Sequence, residues 1–120
     1  MNNDEYHESG EFLDLFSLDA WQSLREPVRA GLAGATPQAG PIVDLGAGSG
    51  LGTLLVAEAF PAAHILAVEP SAMQRAALFG RLGPVPELRE RVTVVAAGAQ
   101  NAPLPDRIGG AIATGTPAST

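Results

Sequence analysis

The chain contains no cysteine, few basic residues and no long apolar run. Without cysteine it can form neither disulfides nor thiolate metal sites. Seven lysine and arginine residues face 13 aspartate and glutamate residues, which leaves a net charge of −6. No basic patch is visible that could neutralise several phosphates, so nucleic acid is not expected as a main partner.

Signals for membranes and for export are also missing. No apolar run approaches the roughly 20 residues that a membrane-spanning helix requires. The first eight residues are polar and acidic, unlike a secretory signal. With 120 residues the chain can build one domain with a modest core. We therefore expect a cytoplasmic protein that does not contact membranes.

The most informative segment is a glycine-rich stretch behind a short apolar run. Residues 42–45 suit a buried strand that carries one acid, Asp44. Glycines then stand at alternate positions and let the backbone turn sharply and approach a ligand; they are Gly46, Gly48, Gly50 and Gly52. Apolar residues recur at helical spacing from residue 51. The loop should therefore open onto a helix N-terminus, which favours an anionic ligand group.

The spacing of these glycines distinguishes between nucleotide cofactors. A dinucleotide-binding loop has the pattern G-x-G-x-x-G, in which the third glycine permits close packing of helix on strand. Counted from Gly46 or from Gly48, that third position holds Leu51 or Thr53. A nicotinamide-dependent oxidoreductase is therefore the less favoured alternative.

The pattern that is present, D-x-G-x-G-x-G, begins at Asp44. It resembles the first motif of class I S-adenosylmethionine-dependent methyltransferases, whose loop holds the methionine portion of the cofactor. The resemblance implies cofactor contacts for Asp44, Gly46, Ala47, Gly48 and Gly50. For Asp44 a structural role stays open, in which its carboxylate orients the loop by accepting bonds from backbone N–H groups.

A second apolar strand, expected over residues 64–69, ends in Glu69, 25 positions after Asp44. An acid at this place meets ribose hydroxyls in nucleotide-binding folds, and a carboxylate offers two acceptor oxygens. Residues 67–73, Ala-Val-Glu-Pro-Ser-Ala-Met, are similar to the adenosine-binding corner of the methyltransferase family. By that resemblance Pro70, Ser71 and Met73 border the adenine.

The third strand, expected over Val92 to Val95, leads to a departure from the family pattern. Gly98 and Ala99 stand where many members carry the Asp-Ala of Gly-Asp-Ala, and that aspartate binds the adenine amino group. The resemblance still places both residues at the cofactor, although Gly98 cannot supply the side chain. Losing this hydrogen bond costs about 1 kcal/mol, and up to about 3 kcal/mol if the amino group is buried unpaired.

Apolar strands alternate with helical segments along the chain. This alternation predicts an α/β, Rossmann-like fold: a partial doubly wound parallel sheet of about four strands, preceded by leading helices. We expect helices over residues 50–60 and 71–82. Pro27 should break or kink the leading helices near Arg25 or Glu26, and Gly83-Pro84 with Pro86 should end the second helix.

The fourth strand is expected within residues 108–114, although Gly109 and Gly110 are poor strand residues. Complete members of the family have seven strands in the order 3-2-1-4-5-7-6, so the resemblance covers only the cofactor-binding half. The chain accordingly divides into a flexible N-terminus, 1–11, an incomplete cofactor-binding domain, 12–114, and a flexible tail, 115–120. The fourth strand would be an open edge and a site for self-association.

The resemblance implies methyl transfer from S-adenosylmethionine to an unknown acceptor, expected to be a small molecule. The main alternative is a noncatalytic or degenerate S-adenosylmethionine-binding module, which Gly98 and the absent later strands favour. No catalytic residue is assigned. No metal site is expected, because His7 and His64 have no partner at metal-ligand spacing.

Overall fold

The structure of the chain is a computed structural model, which describes residue 23 and residues 25–113. Four strands form one sheet in these residues: β1 Ile42–Leu45, β2 Ile65–Val68, β3 Val92–Val95 and β4 Gly110–Ile112. The helices are α1, residues 25–31, α2 Leu51–Ala59, α3 Ala72–Leu82 and α4 Pro86–Arg91, with a short 3-10 turn at Pro37–Ala39.

The sheet has the order β3-β2-β1-β4, and every neighbouring pair runs parallel. In register, Ile42 stands between Ile65 of β2 and Gly110 of β4, and Ile65 stands opposite Val92. This arrangement confirms the expected α/β, Rossmann-like fold with four parallel strands. It also agrees with the strand order that the sequence resemblance implied for the first four strands.

One hydrophobic core joins the sheet to its helices. Ile42 and Ile65 are fully buried there, together with Leu55 of α2 and Leu78 of α3. Val28 of α1 belongs to the same cluster. Burial of each such side chain is worth about 1.5–3 kcal/mol. Helices α1, α2 and α3 therefore share one core, and α2 and α3 are the crossovers that carry the chain from β1 through β2 to β3.

Pro27 does not end the leading helix. Residues 25–31 are helical with Pro27 among them, so the break expected at Arg25 or Glu26 is wrong, while the kink expected there as its alternative stays a prediction. The fixed φ of proline is compatible with a helix, although proline has no N–H to donate. Val28 is buried in the core, and Arg25 forms an ion pair with Glu58 of α2.

Pro86 begins a helix instead of only ending one. As expected, α3 ends at Leu82, where the Gly83 N–H donates to the Phe79 carbonyl at 2.8 Å. The chain then turns into α4, which has Pro86 in its first turn. Proline suits that position because its missing N–H would have no partner inside the helix. Helix α4 was not predicted from the sequence.

Arg91, the last residue of α4, binds the carbonyls at the end of α2. Its Nη1 donates to the carbonyls of Phe60 at 2.9 Å and Ala63 at 3.1 Å, and its Nη2 donates to Ala57 at 3.1 Å. Its Nε lies 3.2 Å from Glu87 Oε1, close enough for an ion pair but not aligned as a hydrogen bond. One guanidinium thus satisfies carbonyls that the end of a helix leaves without partners.

Strand β4 forms although Gly109 precedes it and Gly110 is its first residue. The Thr36 N–H donates to the Gly109 carbonyl at 2.8 Å, and the Gly109 N–H donates to the Pro41 carbonyl at 2.7 Å. A Cβ on Gly109 would lie 2.6 Å from the Gly40 carbonyl oxygen. Close approach of two backbone segments therefore requires the glycine that weakened the sequence signal for this strand.

Some sequence expectations concern residues outside the described ranges or stay predictions. The segments 1–11 and 115–120 are not described, and neither is residue 12 or residue 114, at which the predicted domain begins and ends. Among the described residues β4 pairs with β1, and association of two chains through the other side of β4 stays a prediction. No described helix is both long and apolar enough to cross a membrane.

We predict that Arg91→Met lowers the free energy of unfolding by about 2–3 kcal/mol, because the carbonyls at the end of α2 lose a charged donor. Methionine keeps the apolar stem, so the change removes mainly the guanidinium. Arg89→Met is the matched control, since Arg89 is exposed on the same helix; it should change stability by less than about 0.5 kcal/mol. Urea unfolding followed by circular dichroism measures both, and equal losses would contradict the prediction.

Candidate functional site

Two loops meet at the carboxyl edge of the sheet. The glycine loop, residues 46–50, follows β1, and the turn that begins at Glu69 follows β2. The ends of the two strands are in register, with Leu45 opposite Val68. The Ala47 N–H continues the ladder by donating to the Val68 carbonyl at 2.9 Å. The carboxyl edge of a parallel sheet is where α/β folds bind ligands.

The glycine loop depends on a left-handed backbone. Gly46, Gly48 and Gly50 have φ values of 67°, 61° and 101°, and no other described residue has its φ in the left-handed region. Gly50 is also the N-cap of α2, and a Cβ on it would lie 2.3 Å from Leu78 Cδ1 of α3. Conformation and close packing therefore both require glycine at this point. The fourth glycine, Gly52, lies within α2.

The carboxylate of Glu69 joins the two loops. Its Oε1 accepts the Gly48 N–H at 2.7 Å, and its Oε2 accepts the Ser71 N–H at 2.9 Å. The Glu69 residue is only 7% exposed, so these bonds lie in a largely buried setting. Hydrogen bonds from N–H groups to a charged acceptor are stronger than neutral ones. Glu69 therefore fixes the middle of the glycine loop against the start of the β2–α3 turn.

Asp44 lies beneath the loop and is fully buried. Its Oδ2 accepts the hydroxyl of Thr53, in the first turn of α2, at 2.8 Å. This bond ties β1 to the helix that follows the loop, and its donor is a side-chain hydroxyl. The bonds from backbone N–H groups of the loop that were expected for Asp44 stay a prediction. A direct contact of Asp44 with a cofactor stays a prediction.

The β2–α3 turn presents the other predicted residues. Ser71 caps α3, where its Oγ accepts the Gln74 N–H at 3.3 Å. The Ser71 N–H goes to Glu69, so the glutamate takes the place that the Gln74 side chain would have in a full capping box. Pro70 is exposed, and Met73 is 83% exposed, which places its thioether outside the core.

The loop after β3 closes on itself. The Gly98 N–H donates to Asn101 Oδ1 at 3.0 Å, and the Asn101 N–H donates to the Gly98 carbonyl at 3.2 Å. Because β3 is the neighbour of β2, Gly98 and the exposed Ala99 follow the same edge of the sheet. Asn101, a polar residue three positions after Gly98, uses its side-chain oxygen within this turn.

The structure thus gathers the predicted residues at one edge and adds two that sequence reasoning did not name as part of the site. Direct bonds connect Gly48, Glu69 and Ser71, whereas a cofactor contact for each predicted residue stays a prediction. Thr53 was considered only as a missing glycine; its position in the first turn of α2 was the available signal. Arg75 of α3 donates to the Glu69 and Pro70 carbonyls of the β2–α3 turn. No sequence pattern indicated this role. Within residues 23 and 25–113, no three His, Cys, Asp or Glu side chains cluster to hold a metal ion.

No protein-family profile matches this chain, and no curated protein matches it. Among solved structures, the chain is similar to one titled "Crystal structure of TnmH", at 20% identity and a TM-score of 0.47. The similarity covers 80% of this chain and 27% of the solved chain. This chain therefore spans about a quarter of that chain's length, and a similarity at this level supports no conclusion about activity.

We predict that Gly50→Ala destabilises the protein by at least about 1–2 kcal/mol, the cost of a left-handed backbone at a residue with a Cβ. Displacement of the buried Leu78 adds to this cost. Gly80→Ala is the matched control, because Gly80 lies in α3 with nothing within 4 Å of its added Cβ. It should stabilise the helix by about 0.5–1 kcal/mol. Thermal unfolding measures both changes, and similar shifts of the two melting temperatures would contradict the prediction.

We also predict that Thr53→Val costs about 1 kcal/mol of stability, since valine keeps the shape of threonine but removes the hydroxyl that Asp44 accepts. Thr93→Val is the control, because Thr93 is an exposed residue of β3. Denaturant midpoints compare the two variants. A neutral Thr53→Val would show that the buried bond contributes nothing net to the fold.

Proposed function

We propose that this chain is the cofactor-binding part of an S-adenosylmethionine-dependent methyltransferase. The acceptor that we propose is a small molecule of unknown identity. One observation carries the proposal: the acid that follows β2 is bonded to the glycine loop that follows β1, through Gly48 N and Glu69 Oε1 at 2.7 Å. A carboxylate suited to accept ribose hydroxyls therefore lies beside a loop whose backbone a ligand can approach closely. A nucleoside cofactor needs both at one site.

The acceptor capacity of Glu69 fits a ribose. A carboxylate has about four lone-pair positions. Two are used by the N–H groups of Gly48 and Ser71, one on each oxygen. Each oxygen can therefore still accept one hydroxyl, and a ribose offers two neighbouring hydroxyls. The bonds to the loop also hold the carboxylate before any ligand arrives, which lowers the entropy cost of binding.

The glycine loop fits the amino-acid end of the cofactor. Helix α2 begins directly after Gly50, and this N-cap has no side chain that could bond the first N–H groups. The positive end of the helix dipole and these N–H groups favour a carboxylate, such as that of the methionine portion. The proposal assigns contacts to the loop from Gly46 to Gly50, and to Pro70, Ser71 and Met73 beside the adenine.

S-adenosylmethionine supplies a methyl group on a cationic sulfur, so transfer is a displacement with a good leaving group. The protein's task in such a reaction is to hold donor and acceptor in line and to exclude competing contacts. Glu69, Gly48 and Ser71 would fix the donor end of that alignment. We assign no described residue as a general base.

A noncatalytic S-adenosylmethionine-binding module is the second candidate, and Gly98 favours it. Residue 98 has no side chain for the adenine amino group, and the side-chain oxygen of Asn101 is already bonded to the Gly98 N–H. An adenine amino group without that partner would weaken binding by about 1–3 kcal/mol. If the chain binds S-adenosylmethionine more weakly than enzymes usually bind a cofactor, and transfers no methyl group, this candidate is favoured.

The experiment is calorimetric titration of the purified chain with S-adenosylmethionine, S-adenosylhomocysteine and NAD in parallel. Binding of the first two without NAD supports the proposal. Binding of NAD in preference would favour the oxidoreductase alternative, against which Leu51 and Thr53 argue. No binding by a chain that melts cooperatively would overturn the proposal.

We predict that Glu69→Ala weakens binding of S-adenosylhomocysteine about tenfold or more, because a charged acceptor of ribose hydroxyls is lost. His64→Ala is the control, since His64 is exposed and precedes the strand that Glu69 follows; it should bind as the unchanged chain does. Melting curves establish that both variants are folded. Equal affinities of the two variants would remove Glu69 from ribose recognition.

A further inference from the structure

Arg75 holds the backbone of the turn that carries the Glu69 carboxylate. Its Nη1 donates to the Glu69 carbonyl at 3.0 Å and to the Pro70 carbonyl at 2.8 Å. The side chain belongs to the first turn of α3, and its own N–H donates to the Ser71 carbonyl at 2.9 Å. Arg75 of α3 therefore binds the backbone carbonyls of the turn, whereas the Glu69 carboxylate binds the glycine loop.

Helix electrostatics do not account for an arginine at this place. A cation in the first turn of a helix faces the positive end of the dipole and is disfavoured there. The two charge-assisted bonds to carbonyls offset that cost. A long side chain also loses rotamer freedom when it is held in one geometry. The position of Arg75 thus indicates that immobilising the Glu69–Pro70 peptide has value for the protein.

The bonds around Glu69 form a connected set. Its N–H donates to the Val95 carbonyl of β3 at 2.9 Å, and its carbonyl accepts from Arg75. Its carboxylate accepts from Gly48 and Ser71. Proline follows directly and restricts the backbone of Glu69 to extended conformations. Of these restraints, the Arg75 bonds are the side-chain contribution that can be removed without altering Glu69 or the loop.

We propose that Arg75 is a positioning residue for ribose recognition, acting through the backbone of Glu69 and Pro70 to keep the carboxylate oriented toward the two hydroxyls. This inference rests on the proposed function of the same site. Arg75 touches the carbonyls of the turn and acts on a nucleoside only through Glu69. Its loss therefore affects ligands with a free 2′,3′-diol more than ligands without one.

The test compares adenosine with 2′,3′-dideoxyadenosine as ligands of the full chain, by calorimetric titration, with S-adenosylhomocysteine titrated beside them. Arg75→Met removes the donors and keeps the stem. We expect it to weaken adenosine and S-adenosylhomocysteine about fivefold and to leave dideoxyadenosine within about twofold, a difference of the size of a lost hydrogen bond. Arg89→Met, at an exposed site on α4, is the control and should leave all affinities unchanged.

A double-mutant cycle separates positioning from general loosening of the fold. In a Glu69→Gln background, Arg75→Met should produce no further loss for adenosine, because its effect passes through the carboxylate. Equal losses for the two nucleosides, additive losses in the cycle, or no loss at all would overturn the proposal. If Arg75→Met does not fold, Arg75→Lys is used instead. Lysine's shorter side chain should reduce the preference for adenosine over dideoxyadenosine. An unchanged preference overturns the proposal.

Titration of the unchanged chain distinguishes a failure of this inference from a failure of the proposed function on which it rests. If it binds neither S-adenosylhomocysteine nor adenosine while folded, the proposed function fails and the role of Arg75 fails with it. If it binds both and Glu69→Gln weakens them, but Arg75→Met binds as the unchanged chain does, only the role of Arg75 is overturned.

Discussion

The carboxylate of Glu69 is the contact on which the candidate site depends. Gly48 and Ser71 come from loops that follow different strands, and each donates its N–H to one oxygen of this group. A buried charge needs such partners, since an ionised carboxylate without them is costly at 7% exposure. The glycine loop in turn needs the carboxylate, because a segment with alternating left-handed residues has few helical or strand bonds to hold it. Structural and proposed ligand roles therefore rest on one group.

The fold supports this contact from two sides. Below the loop, Asp44 and Thr53 join the end of β1 to the start of α2 across a fully buried hydrogen bond. At the other end of α2, Arg91 binds the carbonyls that lead toward β2. Helix α2 is thus fixed at both ends by polar side chains, while its middle is fixed by the core. This division lets the loop keep a left-handed backbone that apolar packing alone would not specify.

Local rules succeeded for the strands and for the end of α3, but they did not foresee that one helix would include Pro27 and that another would begin at Pro86. The strands are short apolar runs buried in a parallel sheet, and β3 has the bounds that its sequence predicted. Pro27, expected to break or kink a helix, lies within α1, and Pro86, expected to help end α3, also begins α4. Proline restricts φ and removes a donor, and neither property decides whether neighbouring contacts sustain a helix. The contacts that hold α1 include the packing of Val28 in the core, and those that hold α4 include the bonds from Arg91 to carbonyls at the end of α2.

The sequence by itself determined the α/β class, the succession of the elements, and the placing of Asp44, the glycines and Glu69 at strand ends. These follow from hydrophobic periodicity and glycine spacing, which are local properties of the chain. Only the tertiary structure decided the partners: that Glu69 binds Gly48, that Thr53 binds Asp44, and that Arg75 reaches back to its own turn. Hydrogen-bond partners depend on distances of about 3 Å between segments, and such distances arise only once register, helix packing and turn geometry are fixed together.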